Sequence, residues 1–202
     1  MIILFVLAAC SSTRVTSSWK AESTGPQKYN KILVVCLIKE SDRSIQEKME
    51  KHLMGDLKEL GYNSVTSLEE YGPRAFDGME ESAVINKLKS SRIDAILTIV
   101  LLDKEKESKY VPASIHYSPF GYYHGRFWRY YGTMQNRIYE PGYYVTDTRY
   151  FWESNFYTVT NETLLYSAQM KSFDPVNTEA MAHEYGQTIV KDMEKQQVIL
   201  KQ

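Results

Sequence analysis

Apolar positions along the chain fall into three kinds of pattern. Residues 31–38 are a continuous, largely β-branched run, Lys31-Ile32-Leu33-Val34-Val35-Cys36-Leu37-Ile38. Such a run reads as a strand buried on both faces. Residues 93–102, with Ala95-Ile96-Leu97-Thr98-Ile99-Val100-Leu101-Leu102, read the same way. Between them the spacing turns helical. Ile45, Met49, Leu53, Leu57 and Leu60 recur every three or four residues and predict a helix over 44–60. Ser44 and Glu47 match a capping box, and Gly61 sits where a left-handed C-terminal cap belongs. A short strand at 63–67, a loop through Gly72-Pro73 and a second helix over 79–91 complete the first half. This β-α-β-α-β order makes parallel pairing with helical crossovers the expectation.

The second half alternates instead. In residues 144–157, Tyr144, Thr146, Thr148, Tyr150, Trp152, Ser154 and Phe156 share one face; in 164–170, Leu164, Tyr166, Ala168 and Met170 do. With a turn at Thr160-Asn161-Glu162, the two predict an antiparallel hairpin. Asp174-Pro175 suits a helix entry, and Met181, Tyr185, Ile189 and Met193 mark one side of a last helix reaching about residue 197. The expected fold is a single α/β (α+β) domain. It has a mixed sheet of about five strands in β-α-β-α-β-β-β-α order, with three helices.

The amino end carries a different signal. Residues 1–9 are an uncharged apolar run, too short to span a bilayer and suited to a signal peptide. It ends Leu7-Ala8-Ala9-Cys10, which resembles the lipobox of bacterial lipoproteins. The resemblance implies cleavage between Ala9 and Cys10, a diacylglyceryl group on the Cys10 thiol and an acyl group on its freed amine. Residues 11–18 are Ser/Thr-rich, a linker composition. The expected organisation is therefore a signal peptide at 1–9, a lipidated cysteine and flexible tether at 10–28, and a globular domain at 29–202. Trp19 would dock on that domain or sit at the lipid interface.

Composition narrows the function classes. The net charge is −1, so no global field draws the chain to nucleic acid or to an anionic membrane. Residues 110–144 hold 12 of the chain's 26 aromatic residues, punctuated by Gly and Pro, and predict a long loop. Tyr122, Tyr123, Arg126, Phe127, Trp128, Arg129, Tyr130 and Tyr131 form a candidate binding surface, since Tyr, Trp and Arg dominate contact hot spots. The competing reading has the loop's tyrosines filling a satellite core. His52, His116, His124 and His183 are scattered, and no metal-ligand spacing appears. His52, beside the first helix's apolar stripe, reads as a packed histidine. His183-Glu184 lacks the second histidine of a zinc-protease helix. Cys36, inside an apolar run, reads as a buried, inert thiol. No nucleophile elbow, Walker sequence or dinucleotide turn occurs. The expectation is a non-enzymatic chain without a catalytic residue, a metal or a cofactor beyond the lipid on Cys10.

A wider resemblance rests on motifs in order: Ser17-Ser18-Trp19-Lys20, Lys31-Ile32-Leu33-Val34-Val35, Asp94-Ala95-Ile96-Leu97-Thr98, Tyr110-Val111-Pro112, Pro141-Gly142-Tyr143-Tyr144 and Phe173-Asp174-Pro175. Together they resemble a group of uncharacterised bacterial envelope lipoproteins with a Tyr/Gly-rich middle loop. The resemblance implies no activity and no catalytic residues. The expected role is a membrane-anchored binding or scaffold module with an envelope protein as partner; the alternatives are a glycan or peptidoglycan binder using the 110–144 loop and a hydrolase with an unrecognised site. Ser11 after the cysteine implies outer-membrane sorting, with the domain facing the periplasm.

Overall fold

The computed structural model describes residues 12–22, 25, 27–74, 76–111 and 143–202. One six-stranded mixed sheet organises them, in the order β1-β6-β5-β4-β2-β3. The strands are β1 (Thr13–Lys20), β2 (Ile32–Leu37), β3 (Ser64–Thr66), β4 (Ala95–Val111), β5 (Tyr143–Thr158) and β6 (Leu164–Phe173). Four α-helices accompany them: α1 (Arg43–Glu59), α2 (Ser67–Tyr71), α3 (Glu81–Ser90) and α4 (Thr178–Lys195). The mixed α/β class is as expected, with one strand and one helix more among the described residues.

Contacts group the chain into two compact units, residues 1–105 with 149–202, and residues 106–148. In the second unit the outer ends of β4 and β5 carry cross-strand polar pairs: Ser108 with Thr146 at 3.0 Å, and the Lys109 ammonium with the Asp147 carboxylate at 3.0 Å. Strand structure at residues 110, 111, 143 and 144 shortens the expected loop at both ends.

In the first unit, β2 pairs in parallel with β3 and β4. Ile32, Val34 and Cys36 face one core with Met49, Leu53 and Leu57 of α1, while Leu33 and Val35 face a second with Leu88. A strand sandwiched this way has no polar face, which is why its sequence does not alternate. The hairpin of β5 and β6 forms as predicted. Trp152 opposes Met170, and Tyr150, Trp152, Ser154 and Phe156 are buried beneath α4 residues such as Tyr185. Gly61 does adopt the left-handed conformation, φ 94°, and a Cβ there would stand 3.1 Å from the Gln202 side chain.

Three expectations are corrected. Residues 13–20, read as tether, form β1 and pair antiparallel with β6. Thr13 and Val15 supply β-branched residues to the covered face, and backbone pairing at a sheet edge tolerates serine. The Ser44–Glu47 capping box is not formed. A 3₁₀ turn (Glu40–Asp42) feeds α1, Asp42 is its N-cap, and no side chain caps it. Finally, Asp174 takes φ 40° in a turn, so the last helix starts later, at Thr178. Its N-cap Asn177 accepts the Ala180 N–H at 2.8 Å.

Candidate functional site

Ala9, Cys10 and the candidate surface of Tyr122, Tyr123, Arg126, Phe127, Trp128, Arg129, Tyr130 and Tyr131 lie outside the described residues. The described part of the molecule offers four polar places.

Open α/β sheets bind ligands beyond the carboxyl ends of their parallel strands. Here that end is occupied from within by Glu50 of α1, which is fully buried. Its carboxylate accepts the Cys36 N–H at 2.9 Å, the Ser67 hydroxyl at 2.7 Å, the Leu68 N–H at 3.1 Å and the Gln46 amide at 3.3 Å. An internal anion thus satisfies the donors that an anionic ligand would use. The adjoining cavity, about 250 Å³, includes Cys36, Arg43 and Arg74 in its lining. Burial, and next the Glu50 charge, push the Cys36 thiol far up, so it stays protonated and unreactive, as its sequence context indicates.

At the opposite end of the same strands lies a cavity of about 790 Å³. Asp94 there accepts the Asn30 N–H and side-chain amide, both at 2.8 Å, and the Lys31 N–H at 3.1 Å. The Lys31 ammonium pairs with Glu70 at 2.8 Å. These bonds tie the starts of β2 and β4 together.

The third place is the α1–α4 seam. The His52 ring is half-buried rather than packed in the core. Its Nε2 lies 2.6 Å from Glu179, and its ring 5.5 Å from that of His183. Beside them Asp56 is pressed against Gly186, with Oδ2 buried and without a hydrogen-bond partner among the described residues. Burial pushes its carboxyl up to about 6, against the opposing charge of His183. Glu179, exposed at the seam, is held below its usual range by its hydrogen bond to His52.

The fourth is the sheet face turned away from α1 and α4, on β1, β6 and β5. Register puts Arg14 opposite Lys171, Lys171 opposite Phe151, and Phe173 opposite Arg149. Since alternate residues share a face, all five stand on one side. The Lys171 ammonium lies 5.0 Å from the Phe151 ring centre, and the Arg149 guanidinium 5.5 Å from that of Phe173. Arg149 is also 3.9 Å from Glu105. Ser12, Arg14, Arg149, Lys171 and Phe173 line a cavity of about 520 Å³. A bulge between Val15 and Ser17 shifts the register, after which Trp19 opposes Ser167 and stands 51% exposed. It lies on the edge strand rather than docked in a core.

Glu184 of α4 fixes the start of that strand. Its Oε2 accepts the Ser12 N–H at 2.9 Å, the Ser12 hydroxyl at 2.8 Å and the Thr13 N–H at 3.2 Å. In the sequence, Glu184 stands out only as half of a zinc motif. No local signal connects it to residues 12 and 13, which are remote in the chain. The cations of the open face were missed for the same reason, because only strand register assembles them.

Among the described residues no group of His, Cys, Asp and Glu is arranged to hold a metal ion. Nor is any helix there long and apolar enough to cross a membrane. No family model and no curated protein sequence matches the chain. Among solved structures, the chain is similar in fold to a PelC dodecamer from Paraburkholderia phytofirmans (TM-score 0.47, 10% identity, 92% of this chain and 99% of that one). It is similar to lipoprotein GNA1162 from Neisseria meningitidis (TM-score 0.45, 14% identity, 82% and 98%). A neuraminyllactose-binding hemagglutinin homolog from Helicobacter pylori is a third likeness (TM-score 0.40, 10% identity, 89% and 92%). At these identities the likeness concerns the fold and places the chain in no family.

Proposed function

We propose that this chain is a lipid-anchored, non-enzymatic binding or scaffold module of the bacterial cell envelope, tethered to the outer membrane through Cys10 and facing the periplasm. One juxtaposition carries the reading. The lipobox Leu7-Ala8-Ala9-Cys10 ends two residues before Ser12, and Glu184 pins Ser12 to the folded domain. Two residues extend about 7 Å at most, so an acylated Cys10 holds the domain close against the bilayer. Multiple acyl chains make such an anchor stable where one would not. The partner is an envelope protein. Mass spectrometry of the native protein is expected to find residues 1–9 removed and Cys10 acylated, and Cys10→Ala to shift the chain from the membrane to the soluble fraction. An unmodified Cys10 behind an intact amino end overturns the reading.

The aromatic density of residues 110–144 favours a second reading, a peptidoglycan or glycan binder. It expects purified sacculi to retain the protein and Trp128→Ala with Tyr130→Ala to abolish retention. In-cell crosslinking through the same segment, recovering one dominant envelope protein, supports the first reading over the second.

A further inference from the structure

Arg14 and Lys171 stand directly opposite each other across β1 and β6. Like charges so placed destabilise a strand pair unless something between them is negative. Neither meets a carboxylate within ion-pair distance among the described residues, while Glu105 lies 3.9 Å from Arg149. The three cations surround a cavity of about 520 Å³, a size that takes a small polar group. The net charge of the whole chain is −1, so this patch is a local feature and not a general basicity.

Its position in the molecule says what it faces. Ser12 lines the cavity and is held by Glu184, two residues from Cys10. Exposed aromatic side chains, Trp19 and Phe173, flank it on the same sheet face, 51% and 44% exposed. Aromatic rings and cations together are what a membrane–water interface accommodates. We infer that the Arg14–Lys171–Arg149 cavity docks the domain on phosphate groups of an anionic phospholipid bilayer, with β1 lying against the surface. The orientation rests on the Cys10 anchor proposed above; the phosphate contact does not need it. An anchor alone leaves the domain free to rotate about one point. Adding this contact fixes which face meets the bilayer.

The test uses the full chain carrying Cys10→Ser, which cannot be acylated, and vesicles of phosphatidylcholine alone or mixed in equal parts with phosphatidylglycerol. Co-sedimentation is expected with the mixed vesicles only, and to fall as salt is raised. Arg14→Gln with Lys171→Gln is expected to weaken it roughly 30-fold, at about a factor of five per cation. Lys89→Gln, at the other end of the sheet, leaves it unchanged. Circular dichroism verifies that each variant is folded, and Arg149→Gln provides an independent variant. Equal binding to both vesicle types, or equal binding by the Arg14/Lys171 variant, overturns the inference. So does binding to a polyanionic glycan without binding to vesicles. An unmodified Cys10 in the native protein would remove the anchor and leave the vesicle result standing.

Discussion

The two halves of the sheet solve the same burial problem differently. In the parallel half, β2 is covered on both faces, and the polar end where a ligand could enter is closed by Glu50. In the antiparallel half, among the described residues, α4 covers one face of β1, β6 and β5, and the other face carries charged and aromatic side chains. Burial on two faces leaves nothing to recognise. Burial on one face leaves a rigid platform whose outward residues are free of packing duty. Among the described residues, the contrast leaves the antiparallel half as the one whose outward side chains can meet a partner.

The sharpest way to break this contrast uses two neighbours in β5. Trp152 is fully buried and Phe151, on the other face, is half-buried. Trp152→Ala is expected to cost ~3–5 kcal/mol of stability. Phe151→Ala should cost about 1 kcal/mol or less, the worth of a cross-strand contact. Urea denaturation midpoints measure both. Equal losses would mean that the open face is packed like the closed one, and the platform would disappear. In the parallel half, Glu50→Ala strands the Cys36 and Leu68 N–H groups and the Ser67 hydroxyl, at an expected cost of ~2–4 kcal/mol. Glu153→Ala, at a half-buried position on the open face, should stay within about 0.5 kcal/mol. A stable Glu50→Ala protein that gains affinity for phosphate would show the closed end to be a ligand site after all.

The same contrast explains what was legible in the sequence. Where two-sided burial dictates residue type, as in Ile32-Leu33-Val34-Val35, the pattern names its own structure. The stripe of α1 and the alternation of β5 and β6 follow equally from one covered face. At the sheet edge the side chains no longer report the conformation. Ser17 and Ser18 fit a linker as well as a strand, and only the ladder to Gln169 and Ala168 decides. The five-residue α2 is too short to show a period. Arg14, Arg149 and Lys171 come from three strands, and Arg149 within Asp147-Thr148-Arg149 looks like ordinary solvated surface. No reading along the chain could assemble them, because their meeting depends on register. The lipobox-like Leu7-Ala8-Ala9-Cys10 is the opposite case, a pattern read along the chain that lies outside the described residues, which begin at Ser12.

The helices join the halves, since α1 covers the parallel strands, α4 covers β1 and β6, and they meet at Gly186. A Cβ at Gly186 would overlap the Asp56 carboxylate and lie 3.4 Å from the Leu53 backbone nitrogen. Gly186→Ala is therefore expected to cost ~1–3 kcal/mol. Adding Asp56→Ala should restore part of it, a coupling that a double-mutant cycle reads directly. Additive losses would place the strain elsewhere in the seam.

A pH-dependent effect tests that seam without disturbing its shape. Burial raises the Asp56 carboxyl from 3.8 to about 6; the His183 charge opposes this, Glu59 adds to it, and His52 and Lys191 oppose it further. A carboxyl with a higher pKa folded than unfolded holds its proton more tightly in the folded chain. Between pH 3.8 and about 6 the folded protein carries more of that proton, so this group's contribution to stability falls as pH rises through the window and stays low above it. Asp56→Asn has no proton to lose. The variant should match the parent below the window and exceed it by a margin that grows through the window to a plateau above about pH 6. Denaturation midpoints of both proteins across that range decide it. A margin that does not change with pH would mean that the Asp56 carboxylate is well solvated. The contact between the helix covering the parallel strands and the helix covering the antiparallel ones would then be wet, and the two halves would be coupled through the sheet alone.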